Sequence, residues 1–243
     1  MRQYKDYACI TTADLVARSA YQMGKTPLLP IFAASIGATG AYLGLIVSVS
    51  TLTGMLLKPL IGALSDRWGR RTWLIVGTSF FVVMPFFYQF VHTAEHLFVI
   101  RLVHGSATAI YGPVTIAYVA DQTYKRRAER IGWFGMARSM GYIIGPMTAG
   151  WLLLFVEPVQ VFSIIGLLSS AVFLPILLLP KQHCSIKKHR VPIHHQLSKA
   201  LKASSATPSI WLSGGLNALM FIALYTVKTF LPIYALSAGI SVV

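Results

Sequence analysis

The sequence has little charge, and very little of it is negative. Charged residues make up 12% of the 243 residues, and 21 Lys and Arg residues stand against seven Asp and Glu residues, a formal net charge of +14. Soluble domains average about 25% charged residues. The shortage of charge, with 55% hydrophobic residues, excludes an ordinary soluble domain. Most basic residues lie in short loops between apolar runs, so we predict no nucleic-acid partner.

Cysteine is scarce, and the common catalytic motifs are absent. Cys9 and Cys184 cannot make a disulfide framework or a zinc site by their spacing. The chain has no Gly-x-Ser-x-Gly, no His-Glu-x-x-His and no nucleotide-binding Gly-rich loop followed by Lys-Ser or Lys-Thr. We therefore predict that the protein is not an enzyme and uses neither a cofactor nor a metal. The irregularly spaced histidines of one basic loop, without carboxylates nearby, do not predict a metal site: His183, His189, His194 and His195.

Long apolar runs fill the rest of the chain. A membrane-spanning helix needs about 20 residues, and seven runs reach that length. The sequence therefore predicts an all-α, multi-pass integral membrane protein that is embedded in a lipid bilayer. The predicted helices cover roughly residues 8–36, 40–64, 72–91, 97–120, 131–156, 158–180 and 209–235.

The basic residues predict the orientation of these helices. The N-terminus and the loops after the second, fourth and sixth helices hold 15 Lys and Arg residues, and the turns after the first, third and fifth hold none. Cytoplasmic loops carry an excess of Lys and Arg. We therefore predict a cytoplasmic N-terminus, in the inner or plasma membrane of the cell.

The chain divides into three predicted parts. Residues 1–180 form a six-helix N-terminal bundle, 181–207 a basic cytoplasmic linker that contains a surface helix near 196–202, and 208–243 the first helix of an incomplete C-terminal bundle. A short repeat supports this division, because Leu29–Gly37 resembles Leu231–Gly239 and a lysine precedes each copy. A six-helix duplication would place the two copies in this way. The chain is then expected to lack most of a second half.

The turn between the second and third helices carries a motif of glycine, acid and arginine. It reads Gly62-x-Leu64-x-Asp66-Arg67-x-Gly69-Arg70-Arg71. This spacing resembles the signature loop of the major facilitator superfamily. The resemblance implies a twelve-helix transporter fold, in which the matching Asp and Arg residues form an inner-gate cluster that holds the outward-open state. Positive-inside orientation alone would explain the arginines, but not the Asp or the glycines.

Two further stretches resemble motifs of the same superfamily. Arg101-x-x-His104-Gly105 is similar to the fourth-helix motif Arg-x-x-Gln-Gly, with His104 in place of Gln. Gly141-x-x-x-Gly145-Pro146-x-x-Ala149-Gly150 is similar to the fifth-helix motif that goes with antiporters, chiefly drug exporters. Small residues every four positions also predict a helix face against which another helix packs closely, and proline allows a bend.

Ionisable groups inside spans usually face a water-filled path or pair with each other. Asp14, Arg18, Gln22 and Lys25 fall on one face of the first helix, where Asp14 and Arg18 can pair at i,i+4. Further cavity candidates for the solute or a proton are Arg101, Arg138 and Lys228, whereas Lys58 is expected to snorkel. Six basic groups against a single acid within the spans suit an organic anion, in contrast to the drug-exporter motif.

These features predict a secondary active transporter that moves a small organic solute by alternating access. Proton-coupled efflux by antiport is the favoured mode. Uptake of an organic anion by a symporter or uniporter is the alternative. A membrane structural protein or receptor without transport activity is the alternative from another class.

Overall fold

The computed structural model describes residues 2–122, 126–180 and 192–239, and these residues are helical apart from short turns. A π-helical turn, Gly24–Leu28, joins α1 to α2, and a 3₁₀ turn, Tyr88–Phe90, extends α4. The helices are α1 (Arg2–Met23), α2 (Leu29–Ser35), α3 (Gly40–Trp68), α4 (Arg70–Phe87), α5 (Ala94–Asp121), α6 (Arg127–Leu153), α7 (Pro158–Ser170), α8 (Phe173–Leu178), α9 (Ile193–Ser205) and α10 (Pro208–Ser237).

The predicted all-α membrane fold is confirmed. The first predicted helix is α1 and α2 with a break between them, and the sixth is α7 and α8. The predicted surface helix near 196–202 lies within α9. Residues 181–191, with Cys184, His183 and His189, lie outside the described residues, as do residues 123–125 and 240–243.

Five segments of the described chain are long and apolar enough to cross a membrane: Gly40–Trp68, Arg70–Phe90, Ala94–Asp121, Pro158–Leu178 and Pro208–Ala235. α1 and α6, which were also predicted to span, are not among them. Both carry ionisable residues in mid-helix, and α1 and α6 pack directly against each other. A helix whose polar side chains face another helix can span a bilayer without being apolar all round.

The break between α1 and α2 contains Lys25. Thr26 has φ −148° and ψ 124°, outside the helical region, and Pro27 follows it. A residue before proline is pushed towards extended backbone by the proline ring, which explains the local departure from the helix. Lys25 lies in this turn and is only 6% exposed, so the predicted cavity lysine is held where the helix is interrupted.

Glycines let neighbouring helices approach closely. A Cβ on Gly145 of α6 would lie 2.5 Å from the backbone oxygen of Ser19 on α1, and one on Gly141 would lie 2.9 Å from Cγ of Arg18. Ala149 is fully buried. The predicted small-residue face of α6 thus packs against α1. In the same way, a Cβ on Gly105 of α5 would lie 2.6 Å from the backbone oxygen of Ser50 on α3.

The last helix stands apart from this packing. α10 contacts α2, the π-helical turn and α9, but none of its most apolar 18 residues is buried within the described chain. The two copies of the sequence repeat end in the same backbone conformation. Each ends at a glycine with positive φ, +86° at Gly37 and +72° at Gly239. They differ upstream, where the break at Thr26 has no counterpart in the continuous α10.

Candidate functional site

A cavity of about 400 Å³ lies between α1, α3, α5, α6 and α10. A neighbouring cavity of about 580 Å³ shares part of its wall and extends between α3 and α10. The first is lined by Arg18, Tyr21, Gln22, Lys25, Thr51, Lys58, Thr108, Gly112, Pro113, Ile116, Arg138, Tyr142 and Tyr225. Its described lining contains four basic side chains and neither Asp nor Glu, so the wall is strongly positive.

Lys25 is held by a hydroxyl and two aromatic rings. Its Nζ lies 3.4 Å from Oγ1 of Thr51, 4.3 Å from the ring centre of Tyr225 and 5.9 Å from that of Tyr21. An ammonium group over an aromatic face is attracted by the negative face of the ring. The Lys25 ammonium group is therefore held inside the cavity rather than snorkelling to its edge.

Arg18 lines the cavity about two helical turns before Lys25 in the chain. Its guanidinium carbon is 5.7 Å from the ring centre of Tyr142, and its Nε is buried without a hydrogen-bond partner among the described residues. Gln22 is buried and also lines the cavity. Three of the four polar residues predicted on one face of the first helix thus reach the same cavity.

Asp14, the fourth, is paired across helices. Nε and Nη2 of Arg138 on α6 donate hydrogen bonds of 2.8 and 2.7 Å to its two carboxylate oxygens. Nη2 of Arg138 also donates to Oγ1 of Thr115 on α5 at 2.8 Å. Asp14 therefore pairs with Arg138 rather than with Arg18, the i,i+4 partner that the sequence allowed, because the guanidinium of α6 engages both oxygens. Arg138 links the buried acid to the cavity wall.

Two predicted cavity candidates do not line this cavity. Arg101 is 2% exposed and donates to the hydroxyl of Ser50, to Oη of Tyr88 at 3.5 Å and to the backbone oxygen of Val47 at 3.4 Å. It borders a separate enclosed space of about 10 Å³. Lys228 lies 6.0 Å from the ring centre of Tyr225 and is absent from the described lining of both large cavities.

His104 belongs to the group around Arg101. Its Nδ1 lies 3.2 Å from Oη of Tyr88, which also accepts from Arg101. The histidine that replaces the usual glutamine thus shares a tyrosine with the motif arginine. This group ties α5 to α3 and to the end of α4.

The motif between α3 and α4 forms an ion-pair cluster. Nη2 of Arg70 lies 3.1 Å from Oδ1 of Asp66 and 2.8 Å from Oδ2 of Asp121, at the end of α5. Nη2 of Arg71 donates to the backbone oxygen of Leu177 in α8 at 2.7 Å. Gly69 separates the two helices with φ 87° and ψ 135°, a conformation that side chains resist. The motif therefore joins α3, α4, α5 and α8 at one end of the bundle.

The remaining motif residues lie on helices. Gly62, Leu64 and Arg67 occupy the last turns of α3, and a Cβ on Gly62 would meet nothing within 4 Å. Pro146 lies within the continuous α6. Gly150 has open space around it and takes no part in the contact with α1.

The aromatic residues that line the cavity were not predicted from the sequence. Tyr21 stands three residues after Arg18 and four before Lys25, and Tyr142 stands four residues after Arg138. Those spacings put each ring on the same helix face as a base. The signal was therefore present, but tyrosine is also an ordinary constituent of membrane helices.

The family model described as Major Facilitator Superfamily matches residues 17–243. Multidrug resistance protein 1 of Bacillus subtilis is 32% identical over 127 residues, which are 52% of this chain and 33% of that protein. Quinolone resistance protein NorA of Staphylococcus aureus is 28% identical over 127 residues, with the same shares of each chain.

Among solved structures, the human organic anion transporter MFSD10 is similar with a TM-score of 0.62. The match has 21% sequence identity and covers 74% of this chain and 48% of that one. At this identity the likeness shows the fold. The chain spans about a third of the length of the curated relatives that it matches.

Proposed function

The chain belongs to the Major Facilitator Superfamily, and we propose on this basis that it moves a small organic solute across a membrane by alternating access. The superfamily consists of multi-pass membrane transporters rather than enzymes. The observation that carries the proposal is the polar cavity, where Arg18, Gln22 and Lys25 of the first span meet α6 and α10. Static packing would not need two buried polar side chains and a half-buried arginine on one side of a cavity.

Export in exchange for protons is the first candidate mode. It is supported by the relatives, whose names describe resistance to multiple drugs and to quinolones. The glycine face of α6 against α1 also supports it, because the matching family motif goes with antiporters. In this mode the solute leaves the cell as protons enter.

Uptake of an organic anion by symport or uniport is the second candidate mode. The cavity favours it, because its described lining presents four basic groups and neither Asp nor Glu. A cleft lined by charges of one sign concentrates solutes of the opposite sign. An organic cation would meet repulsion in this wall.

We propose that the cluster of Asp66, Arg70 and Asp121 is the inner gate. Its exposed carboxylates hold one guanidinium between two helix ends, so the pairs can open when the bundle moves. The positive-inside rule supports a cytoplasmic position for this end of the bundle and for the N-terminus, in the inner or plasma membrane.

Solute movement in everted membrane vesicles tests the proposal. Vesicles from cells that express the chain are energised, and accumulation of labelled organic solutes is measured with and without an ionophore that collapses the proton gradient. Antiport predicts accumulation that disappears with the gradient. Accumulation that does not depend on the gradient contradicts proton coupling. Vesicles that neither accumulate the solutes nor release them after preloading contradict transport by this chain.

The gate assignment has its own test. Asp66→Asn should abolish most solute movement while the protein still inserts into the membrane at the wild-type level. Lys202→Gln on α9, outside the cavity lining and the cluster, is the matched control. A wild-type rate in Asp66→Asn would mean that the cluster does not gate.

A further inference from the structure

A small space beside Arg101 takes no part in the proposed transport cavity. It measures about 10 Å³ and lies between α1, α4, α5 and α7. Three polar residues that border it are at most 7% exposed, and each has one buried polar atom without a hydrogen-bond partner among the described residues: Nε of Arg101, Nε2 of His104 and Oγ of Ser169. A buried polar atom without a partner is unfavourable, so three such residues around one space call for a shared partner.

Ser169 does not make the bond that satisfies other hydroxyl groups of the bundle. A serine or threonine in a helix often donates to a carbonyl oxygen three or four residues earlier. Thr78 donates in this way to Leu74 at 2.8 Å, and Ser170 to Leu167 at 2.6 Å. The Ser169 hydroxyl makes no such bond in the described chain, although it is buried in an apolar stretch of α7. Its partner is therefore expected off its own helix.

Arg101 and His104 each have a donor left over. The two terminal nitrogens of Arg101 already donate to Tyr88 and to two oxygen atoms of α3, which leaves Nε. Oη of Tyr88 accepts from Arg101, so its own hydrogen can go to Nδ1 of His104, 3.2 Å away. In a neutral imidazole the nitrogen that does not accept is the donor, so Nε2 of His104 carries a hydrogen. Both leftover atoms therefore need an acceptor.

The size of the space fits a single water molecule. A buried site needs about 10–15 Å³ to hold one water, and such a water makes about three hydrogen bonds to polar groups that otherwise have no partner. The space beside Arg101 reaches the lower end of this range and is too small for a carboxylate or another group of several atoms. Water accepts two hydrogen bonds and donates two, which matches two donors and a hydroxyl oxygen.

We propose that this space binds one water molecule, which accepts hydrogen bonds from Nε of Arg101 and Nε2 of His104 and donates one to Oγ of Ser169. The described side-chain hydrogen bonds of α7 stay within that helix or go to Gln89. The water is then the hydrogen-bonded link between α7 and the arginine of α5. No solute has to bind for this link to form, so it does not depend on the proposed function.

Replacement of Ser169 by alanine tests the site by the sign of its effect. If Ser169 holds a water, Ser169→Ala removes one hydrogen bond, and the equilibrium constant for folding should fall about fivefold. If the hydroxyl is buried without any partner, its removal should leave the constant unchanged or raise it. Unfolding of the detergent-purified chain by sodium dodecyl sulfate measures the constant. Ser170→Ala removes the same atom from an exposed neighbour and, as the matched control, should change the constant by less than about twofold.

A double-mutant cycle shows whether Ser169 acts together with His104. No direct hydrogen bond joins these two residues, so an interaction between their substitutions reports a molecule between them. His104→Phe keeps a ring and removes both nitrogens. In this background Ser169→Ala should lose its destabilising effect, because the water has lost one of its holders. Ser170→Ala should have the same effect in both backgrounds.

X-ray radiolysis detects the water in the wild-type protein. Radicals formed from a bound water oxidise the side chains beside it, so a buried ring is labelled where a water is buried with it. Phe162 borders the space and is 3% exposed, whereas Phe134 is 2% exposed and lines none of the described cavities. Mass spectrometry of the irradiated chain in lipid nanodiscs should find oxygen added to Phe162 and not to Phe134.

Three results would overturn the proposal: Phe162 labelled no more than Phe134, a Ser169→Ala variant at least as stable as the wild type, or a Ser169→Ala effect that is unchanged in His104→Phe. Stability that rises when chloride replaces gluconate at equal ionic strength would also overturn it, because the space would then hold an anion. None of these measurements involves solute movement. Failure of transport in vesicles would therefore contradict only the proposed function, and failure here would contradict only the water site.

Discussion

The chain contains two arginine–carboxylate clusters whose chemistry is alike and whose surroundings differ. In the cavity cluster, Asp14 is 1% exposed and Arg138 17%. In the end cluster, Arg70 is 13% exposed, but its partners Asp66 and Asp121 are 56% and 52% exposed. Burial strengthens an ion pair only as long as both partners stay, whereas exposed carboxylates can exchange protein for water at little cost.

This difference suits the clusters to different tasks. The cavity cluster cannot lose one partner without leaving the other as an unpaired charge in the core. The end cluster can open and close because its acids return to water. Exposed bonds that break easily suit the gate proposed for the end cluster, whereas a buried ion pair suits a contact that holds helices together.

The largest expected effect comes from breaking the buried pair. Arg138→Met leaves Asp14 unpaired in the core and should cost about 3–5 kcal/mol of stability. Unfolding of the detergent-purified chain by sodium dodecyl sulfate, followed by circular dichroism, measures it. Asp14→Asn combined with Arg138→Met should recover most of the loss, because no buried charge remains. A single variant as stable as the wild type would show that the pair is not buried in the folded protein.

Close packing of α1 on α6 is what brings the buried pair together, and it gives the second effect. Gly145→Val places side-chain atoms where a Cβ would already lie 2.5 Å from the backbone oxygen of Ser19. Overpacking of this kind costs about 1–3 kcal/mol. The same unfolding titration measures the loss. Gly150→Val, with nothing within 4 Å of its Cβ position, is the matched control, and equal losses in both variants would contradict the α1–α6 contact.

In the end cluster the backbone is expected to matter more than any single charge. Gly69 joins α3 to α4 at φ 87°, and a side chain there stores roughly 1–3 kcal/mol of strain. Gly69→Ala should therefore lower the stability, measured by the same titration. Gly62→Ala lies in a helix with open space around it and should be neutral or stabilising by up to about 1 kcal/mol. The reverse order would mean that the turn is not formed as described.

The sequence predicted the helices and the face of α6 because both depend on local spacing. Small residues recur every four positions on α6, at Gly141, Gly145 and Ala149. A helix that packs against this face can approach the α6 backbone closely. The same local spacing pointed to Arg18 as the partner of Asp14, because Arg18 is near in sequence. The observed partner, Arg138, is 124 residues away in the chain. Which face of a helix meets which neighbour is a property of the packed bundle. Arg101 illustrates this as well, because a basic residue in a span can face a cavity or, as here, the contact with α3.

The smallest effects are expected from the carboxylates of the end cluster. Asp66→Asn or Asp121→Asn removes one acid while the other still pairs with Arg70. Each should therefore cost less than about 1 kcal/mol, and added salt should reduce the difference, because exposed charges are screened beyond about 10 Å at 0.1 M ionic strength. Unfolding titrations of both single variants and the double variant, at low and high salt, measure this. The double variant should cost more than the two single losses together, since Arg70 then loses both ion pairs. Additive losses that do not change with salt would mean that Arg70 does not join the two acids. The contrast between a buried ion pair and an exposed, breakable one would then fail at its exposed end.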